Sequence, residues 1–139
     1  MNDRYFFDTN ILVYLYSEDE ERKKLICQKK VNTCDQPTIS TQVVNELINV
    51  LSKKYKLNWD TIKEVLKEIK KSFIIEIVNI FDIQLACEIA KRYKYSYFDS
   101  LMIGSALNCE SSIIYTEDLQ HGQIIEQELK IINPFIGTT

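Results

Sequence analysis

Apolar residues recur along this chain at two spacings. Short runs rich in β-branched and aromatic residues, Arg4 to Asp8 (RYFFD), Pro37 to Ile39, Phe73 to Val78 (FIIEIV), Ser112 to Thr116 (SIIYT) and Lys130 to Ile132, read as strands. Between them, apolar residues return every three or four positions, the spacing of one helix face. Val43, Val44, Leu47, Ile48 and Leu51 form one such stripe behind a cap at Ser40 or Thr41, and Ile62, Val65, Leu66 and Ile69 form another within Trp59 to Lys71. These two stripes predict a helical hairpin. Thr9-Asn10 can open a helix after the first strand, and Ser17 to Val31 sets a cap and early acids before a basic end, the charge order that suits a helix. Asp82 is expected to cap a helix carrying Leu85, Ala86, Ile89 and Ala90. Phe98 to Asn108 is apolar nearly all round, and its small residues Gly104, Ser105 and Ala106 predict a central helix packed closely on its neighbours. Strands separated by helices predict an α/β fold with a mainly parallel sheet covered on both faces.

The chain's 139 residues suit one domain, expected to span 1–139 without repeat or linker. With 45% hydrophobic and 27% charged residues the composition is globular. The start, MNDRYFFDTNILVYLYSEDE, lacks the basic opening and small-residue cleavage site of a signal peptide. No apolar stretch approaches the roughly 18 to 20 residues of a membrane-spanning helix. A cytoplasmic protein with no membrane partner is expected. Cys27, Cys34, Cys87 and Cys109 show no CxxC pairing and read as reduced thiols rather than a zinc site. A net charge of −3 argues against holding nucleic acid by bulk positive charge, yet leaves room for an enzyme whose acids are gathered in one pocket.

In parallel sheets of this kind, ligands bind outside the carboxyl ends of the strands. Asp8 ends the first predicted strand and Asp118 follows SIIYT, while Glu46 and Asp99 lie in helices expected to pass near strand ends. A carboxylate among apolar residues is costly to desolvate unless something positive compensates it. Each acid also has a plainer reading. Asp8 could simply cap a helix, Glu46 could be a solvated residue at a helix edge, and Asp99 could serve the helix dipole. Asp118 could be a turn residue, with Glu117 competing for its role.

The four segments FFDTNILVYLY, STQVVNELINVL, YSYFDSLMIGSAL and IIYTEDLQHG, taken in order, resemble the motif series of PIN-domain nucleases, including VapC-type toxin ribonucleases. The resemblance covers essentially the whole chain and implies a three-layer PIN-like domain. It implies that Asp8, Glu46, Asp99 and Asp118 are the acidic quartet of catalysis and metal binding, with Asn10 and Thr116 as supporting polar residues. It further implies Mg²⁺-dependent hydrolysis of RNA, with Mn²⁺ able to substitute, an antitoxin partner and a homodimer. Mg²⁺ suits such a set because it prefers oxygen ligands and is usually held by one or two carboxylates with water and phosphate.

Lys53 and Lys54, about two turns beyond Glu46, are the candidates for RNA contact, although lysines on outer helix faces usually just meet water. His121 reads as a turn residue, since Mg²⁺ favours oxygen over imidazole. Tyr93, Tyr95 and Tyr97 suit core packing or a partner interface. The alternatives are an RNA-processing PIN nuclease and a non-catalytic PIN-like binding or scaffold protein. The first would more often carry appended RNA-binding parts, and the second would normally have lost part of the quartet.

Overall fold

The computed structural model describes residues 3–137; Met1, Asn2, Thr138 and Thr139, the ends of the expected domain, lie outside them. The elements run β1 (Arg4–Phe7), α1 (Thr9–Tyr16), α2 (Glu21–Thr33), β2 (Gln36–Ser40), α3 (Thr41–Lys53), α4 (Trp59–Ser72) and β3 (Ile74–Glu76). They continue through α5 (Ile80–Tyr93), α6 (Tyr97–Asn108), β4 (Ile113–Tyr115), β5 (Ile124–Ile125) and β6 (Leu129–Ile132). The sheet has the order β3-β2-β1-β4-β6-β5, parallel throughout except where β5 meets β6. Phe6 of β1 lies opposite Thr38 of β2 on one side and Ile114 of β4 on the other.

The chain steps outward from β1 to β2 to β3 and then returns through α5 and α6 to β4, on the far side of β1. Right-handed crossovers of opposite sense put α1 to α4 on one face of the sheet and α5 and α6 on the other. This is the expected covered, mainly parallel sheet. The change of direction falls between β1 and β4, the position at which sheets of this kind bind their ligands. The central strands are correspondingly apolar, with Phe6, Phe7, Ile39, Ile114 and Ile131 fully buried.

The helices follow their sequence patterns. Val43, Leu47 and Leu51 of α3 and Ile62, Val65 and Ile69 of α4 turn inward. Ser40 is the cap of α3, accepting the Val43 N–H. In α6, eight consecutive residues from Ser100 to Leu107 are buried. A Cβ on Gly104 would stand 3.0 Å from the carbonyl oxygen of Asp82 and 3.4 Å from the Ala86 nitrogen, so α5 and α6 meet almost backbone to backbone. Cys27 is buried, Cys34 and Cys109 are half-buried, Cys87 is exposed, and all four are free thiols. Among the described residues no helix is long and apolar enough to cross a membrane.

Three local expectations change. Ser17 does not cap α2: it ends α1, and its hydroxyl accepts the Asp19 N–H at 3.1 Å, a local turn that takes the serine before a helix can. Helix α2 starts later, at Glu21, keeping Glu21 in its first turn and Lys30 in its last. Asp82 is not the cap of α5 but its third residue. Asn79 is the cap, the two bond reciprocally, and the second Asp82 oxygen accepts from Asn108 at 2.8 Å. The FIIEIV strand is correspondingly short, and the two-residue β5, too brief to show alternation, had no sequence signal.

Candidate active site

Asp8 stands where β1 ends and α1 begins, beside the end of β4. Its backbone N–H bonds the Tyr115 carbonyl at 3.0 Å, which extends the β1–β4 ladder by one rung. One carboxylate oxygen accepts the Thr9 N–H at 2.6 Å and the other the Thr116 hydroxyl at 2.7 Å. The cap reading of Asp8 is therefore correct as far as it goes, but it uses one oxygen only. Asp8 is 8% exposed. Burial pushes its carboxyl up to about 7, against the two hydrogen bonds that pull it down, and the charges of Asp118 and Glu46 push it the same way as burial.

Thr116 and Asn10 join Asp8 to Asp118. The Thr116 oxygen accepts the Asp118 N–H at 3.1 Å while donating to Asp8, and the Asn10 amide donates to the Asp118 carboxylate at 3.1 Å. Asp118 is held above the usual carboxylate range by partial burial and then by the negative charges of Glu117 and Asp99. Glu117 faces elsewhere: it accepts from Tyr14 and forms a 2.9 Å ion pair with Lys23. The choice between the two neighbouring acids is thus made by Lys23, 94 positions earlier, which no local pattern could reveal.

Glu46 and Asp99 approach from the two faces of the sheet. Glu46 lies on the exposed side of α3 and Asp99 in the first turn of α6, where Ser96 caps its N–H at 3.2 Å. The Gln42 amide, one turn before Glu46, donates to the Phe98 carbonyl at 3.0 Å and ties the two helix starts together. Burial pushes the Glu46 carboxyl up, a hydrogen bond with Gln42 opposes this, and Asp99 repels it. The four acids are therefore linked by charge: Asp8 feels Asp118 and Glu46, and Asp99 acts on both Glu46 and Asp118, while a hydrogen bond with Asp8 pulls the Asp118 carboxyl the other way. Beside Glu46 a groove of about 520 Å³ opens between α3 and α6, walled by Thr41, Asn45, Phe98 and Leu101.

The structure brings together Asp8, Asn10, Thr116 and Asp118 by direct bonds, and Glu46 and Asp99 by charge. Lys53 and Lys54 close α3, and at 1.5 Å per residue lie about 11 Å along the axis from Glu46, away from the strand ends. His121 accepts the Asn133 N–H at 3.0 Å and so secures a turn. Sequence reading missed Gln42, Ser96, Tyr14 and Lys23. The spacings Ser96 to Asp99 and Gln42 to Glu46 carried a readable signal for two of these.

Among the described residues no group of three or more His, Cys, Asp or Glu converges tightly enough to hold an ion by itself. A hard cation that keeps several waters does not require this. The donor set is all oxygen, and the charges acting on buried Asp8 are both negative, so a divalent cation is the group these residues fit.

A family model described as "PIN domain" matches residues 5–125. No curated protein sequence matches the chain. Among solved structures, a toxin–antitoxin complex from Klebsiella pneumoniae superposes with a TM-score of 0.72 at 19% identity, covering 94% of this chain and 98% of that one. VapC20 of Mycobacterium tuberculosis, described as a sarcin-ricin loop cleaving toxin, gives 0.69 at 15%, covering 82% and 89%. DNA-bound VapBC from Salmonella typhimurium gives 0.67 at 18%, covering 93% and 96%. At such identities these likenesses speak for the fold.

Proposed function

The chain belongs to the PIN-domain family, and from that premise we propose that it is a Mg²⁺-dependent endoribonuclease, the toxin of a toxin–antitoxin pair. The observation that carries this reading is the set of four acids at the switch point, tied through Thr116 and Asn10. A binding or scaffold protein has no use for it: repulsion among ionised acids is a standing cost, which a bound cation relieves without the loss of charge that protonation of Asp8 entails.

Asp8 and Asp118 are the ligands that Thr116 and Asn10 orient, and Glu46 and Asp99 complete the charge from the helices. Bound Mg²⁺, or Mn²⁺ in its place, would acidify an attacking water and stabilise the leaving oxygen of an in-line displacement. Thr116 holds one Asp8 oxygen in place. Asn10 fixes the Asp118 carboxylate in the same way. Burial of Asp8 excludes water from one side of the site, which strengthens every charge interaction there.

The reading extends to partners. RNA enters at the switch point, with Lys53 and Lys54 reaching only its more distant phosphates. An antitoxin partner draws support from a neighbour whose name describes a toxin–antitoxin complex. A homodimer draws support from the exposed apolar residues Ile77, Ile80, Phe81 and Phe98. Tyr93 and Tyr95, stacked at 6.1 Å and bonded to Glu126 and Gln123, are occupied within the chain and leave Tyr97 and Phe98 for contact.

The test is cleavage of RNA by purified protein with Mg²⁺, with EDTA, and with Asp8→Asn. Activity is expected only in the first case. Cutting that survives EDTA, or an Asp8→Asn protein as fast as the parent, would overturn the mechanism.

A further inference from the structure

Two consecutive acids follow β4, and one face of α1 meets both. Asn10 and Tyr14 are four residues apart, hence one above the other on the helix. Asn10 holds the Asp118 carboxylate at 3.1 Å and Tyr14 donates to the Glu117 carboxylate. Lys23, from α2, completes the second hold: its ammonium lies 2.9 Å from the other Glu117 oxygen and 3.3 Å from the Tyr14 hydroxyl. The same ammonium sits 5.0 Å over the rings of both Tyr14 and Phe135, which stand edge to face at 5.5 Å. Two helices, the β4–β5 loop and the turn after β6 thus close around one partly buried ion pair, with side chains 27% and 19% exposed.

The position of this cluster matters because Asp118 has no element of its own. It rides on a loop, and its carboxylate is only as well placed as that loop. Thr116 anchors the loop at the strand end through its bond to Asp8, and Asn10 of α1 grips the carboxylate. The Lys23 pair is the anchor that ties this stretch to a third element, α2.

We propose that Lys23 is a positioning residue for the acidic site: by pinning Glu117 it fixes the loop that presents Asp118 to a divalent cation. This rests on the metal-dependent reading above. A residue that orients a ligand from outside the ligand shell typically changes metal affinity by about 10- to 100-fold when removed.

The experiment is a Mn²⁺ titration of the purified full chain, followed by the electron paramagnetic resonance signal of free Mn²⁺, beside melting curves in metal-free buffer. Lys23→Met keeps the stem against the two rings and removes the charge, and is expected to weaken Mn²⁺ binding about 10-fold. Lys23→Arg can still pair with Glu117 and is expected to bind within about threefold of the parent. Tyr14→Phe removes a single hydroxyl, remains informative if Lys23→Met does not fold, and is expected to weaken binding about threefold. A role confined to fold stability would lower the melting point and leave Mn²⁺ affinity alone. Parent-like affinity in Lys23→Met or, failing that protein, in Tyr14→Phe, overturns the inference. So does a Lys23→Arg protein that binds as poorly as Lys23→Met. A parent that binds no Mn²⁺ overturns the metal-site reading itself, a result separate from a parent and variants that all bind alike.

Discussion

Burial of Asp8 makes stability depend on pH in a way that needs neither substrate nor metal. Its carboxyl is raised from 3.8 to about 7, chiefly by desolvation. The folded state therefore binds the proton more tightly than the unfolded chain, and stability falls as pH rises through this interval. Below pH 3.8 there is no cost. Above about 7 the cost is complete, and at about 1.4 kcal/mol per pH unit it amounts to about 4 kcal/mol. Between pH 5 and 8, which takes in the upper part of that interval, the change is about 3 kcal/mol.

Asp8→Asn removes the titration and keeps the shape. Its amide cannot accept in the same way from both Thr9 and Thr116, an offset of about 1 to 2 kcal/mol that does not vary with pH. The quantity to measure is therefore the difference in unfolding free energy between variant and parent, by urea titration followed by circular dichroism in metal-free buffer at pH 5 and pH 8. The variant is expected to gain on the parent by about 3 kcal/mol across that range. Mg²⁺ at ten times its dissociation constant should return about 1.4 kcal/mol to the parent and less to the variant. A difference that stays constant to within about 0.5 kcal/mol from pH 5 to pH 8 would mean that Asp8 ionises as an ordinary exposed carboxylate. Burial would then not control the ionisation of Asp8.

Gly104→Ala should destabilise the fold by about 1 to 3 kcal/mol, because the added methyl meets the Asp82 carbonyl at 3.0 Å; an unchanged urea midpoint would contradict the close approach of α5 and α6. Asn79→Ala removes the capping box of α5 and should cost about 1 kcal/mol, whereas parent stability would return the capping role to Asp82. Sedimentation at micromolar concentration should give a dimer that Phe81→Glu converts to monomer, and a monomeric parent would count against these exposed apolar residues as an interface.

Local chemistry was enough for much of this protein. The apolar runs located β1, β2, β4 and β6 because strand formers in short buried segments leave few alternatives, and the three-to-four spacing in α3 and α4 named the buried residues. The order of the four acidic segments pointed to the PIN-domain family, whose model matches residues 5–125. Short-range competition between caps, as at Ser17 and Asp82, was harder, since serine, asparagine and aspartate all accept from a helix start and only geometry selects among them.

What tertiary structure decided lies in bonds between distant positions. Thr116 reaches Asp8, and Asn10 reaches Asp118, across 108 residues each, and Lys23 chooses between Glu117 and Asp118 across 94. The raised carboxyl of Asp8 has the same origin. A residue's identity sets its ordinary ionisation, but desolvation depends on how much protein surrounds it, and that protein comes from strands and helices assembled from the whole chain. The sequence by itself determined which carboxylates were available, and only the packed sheet and its crossing helices decided which of them face one another.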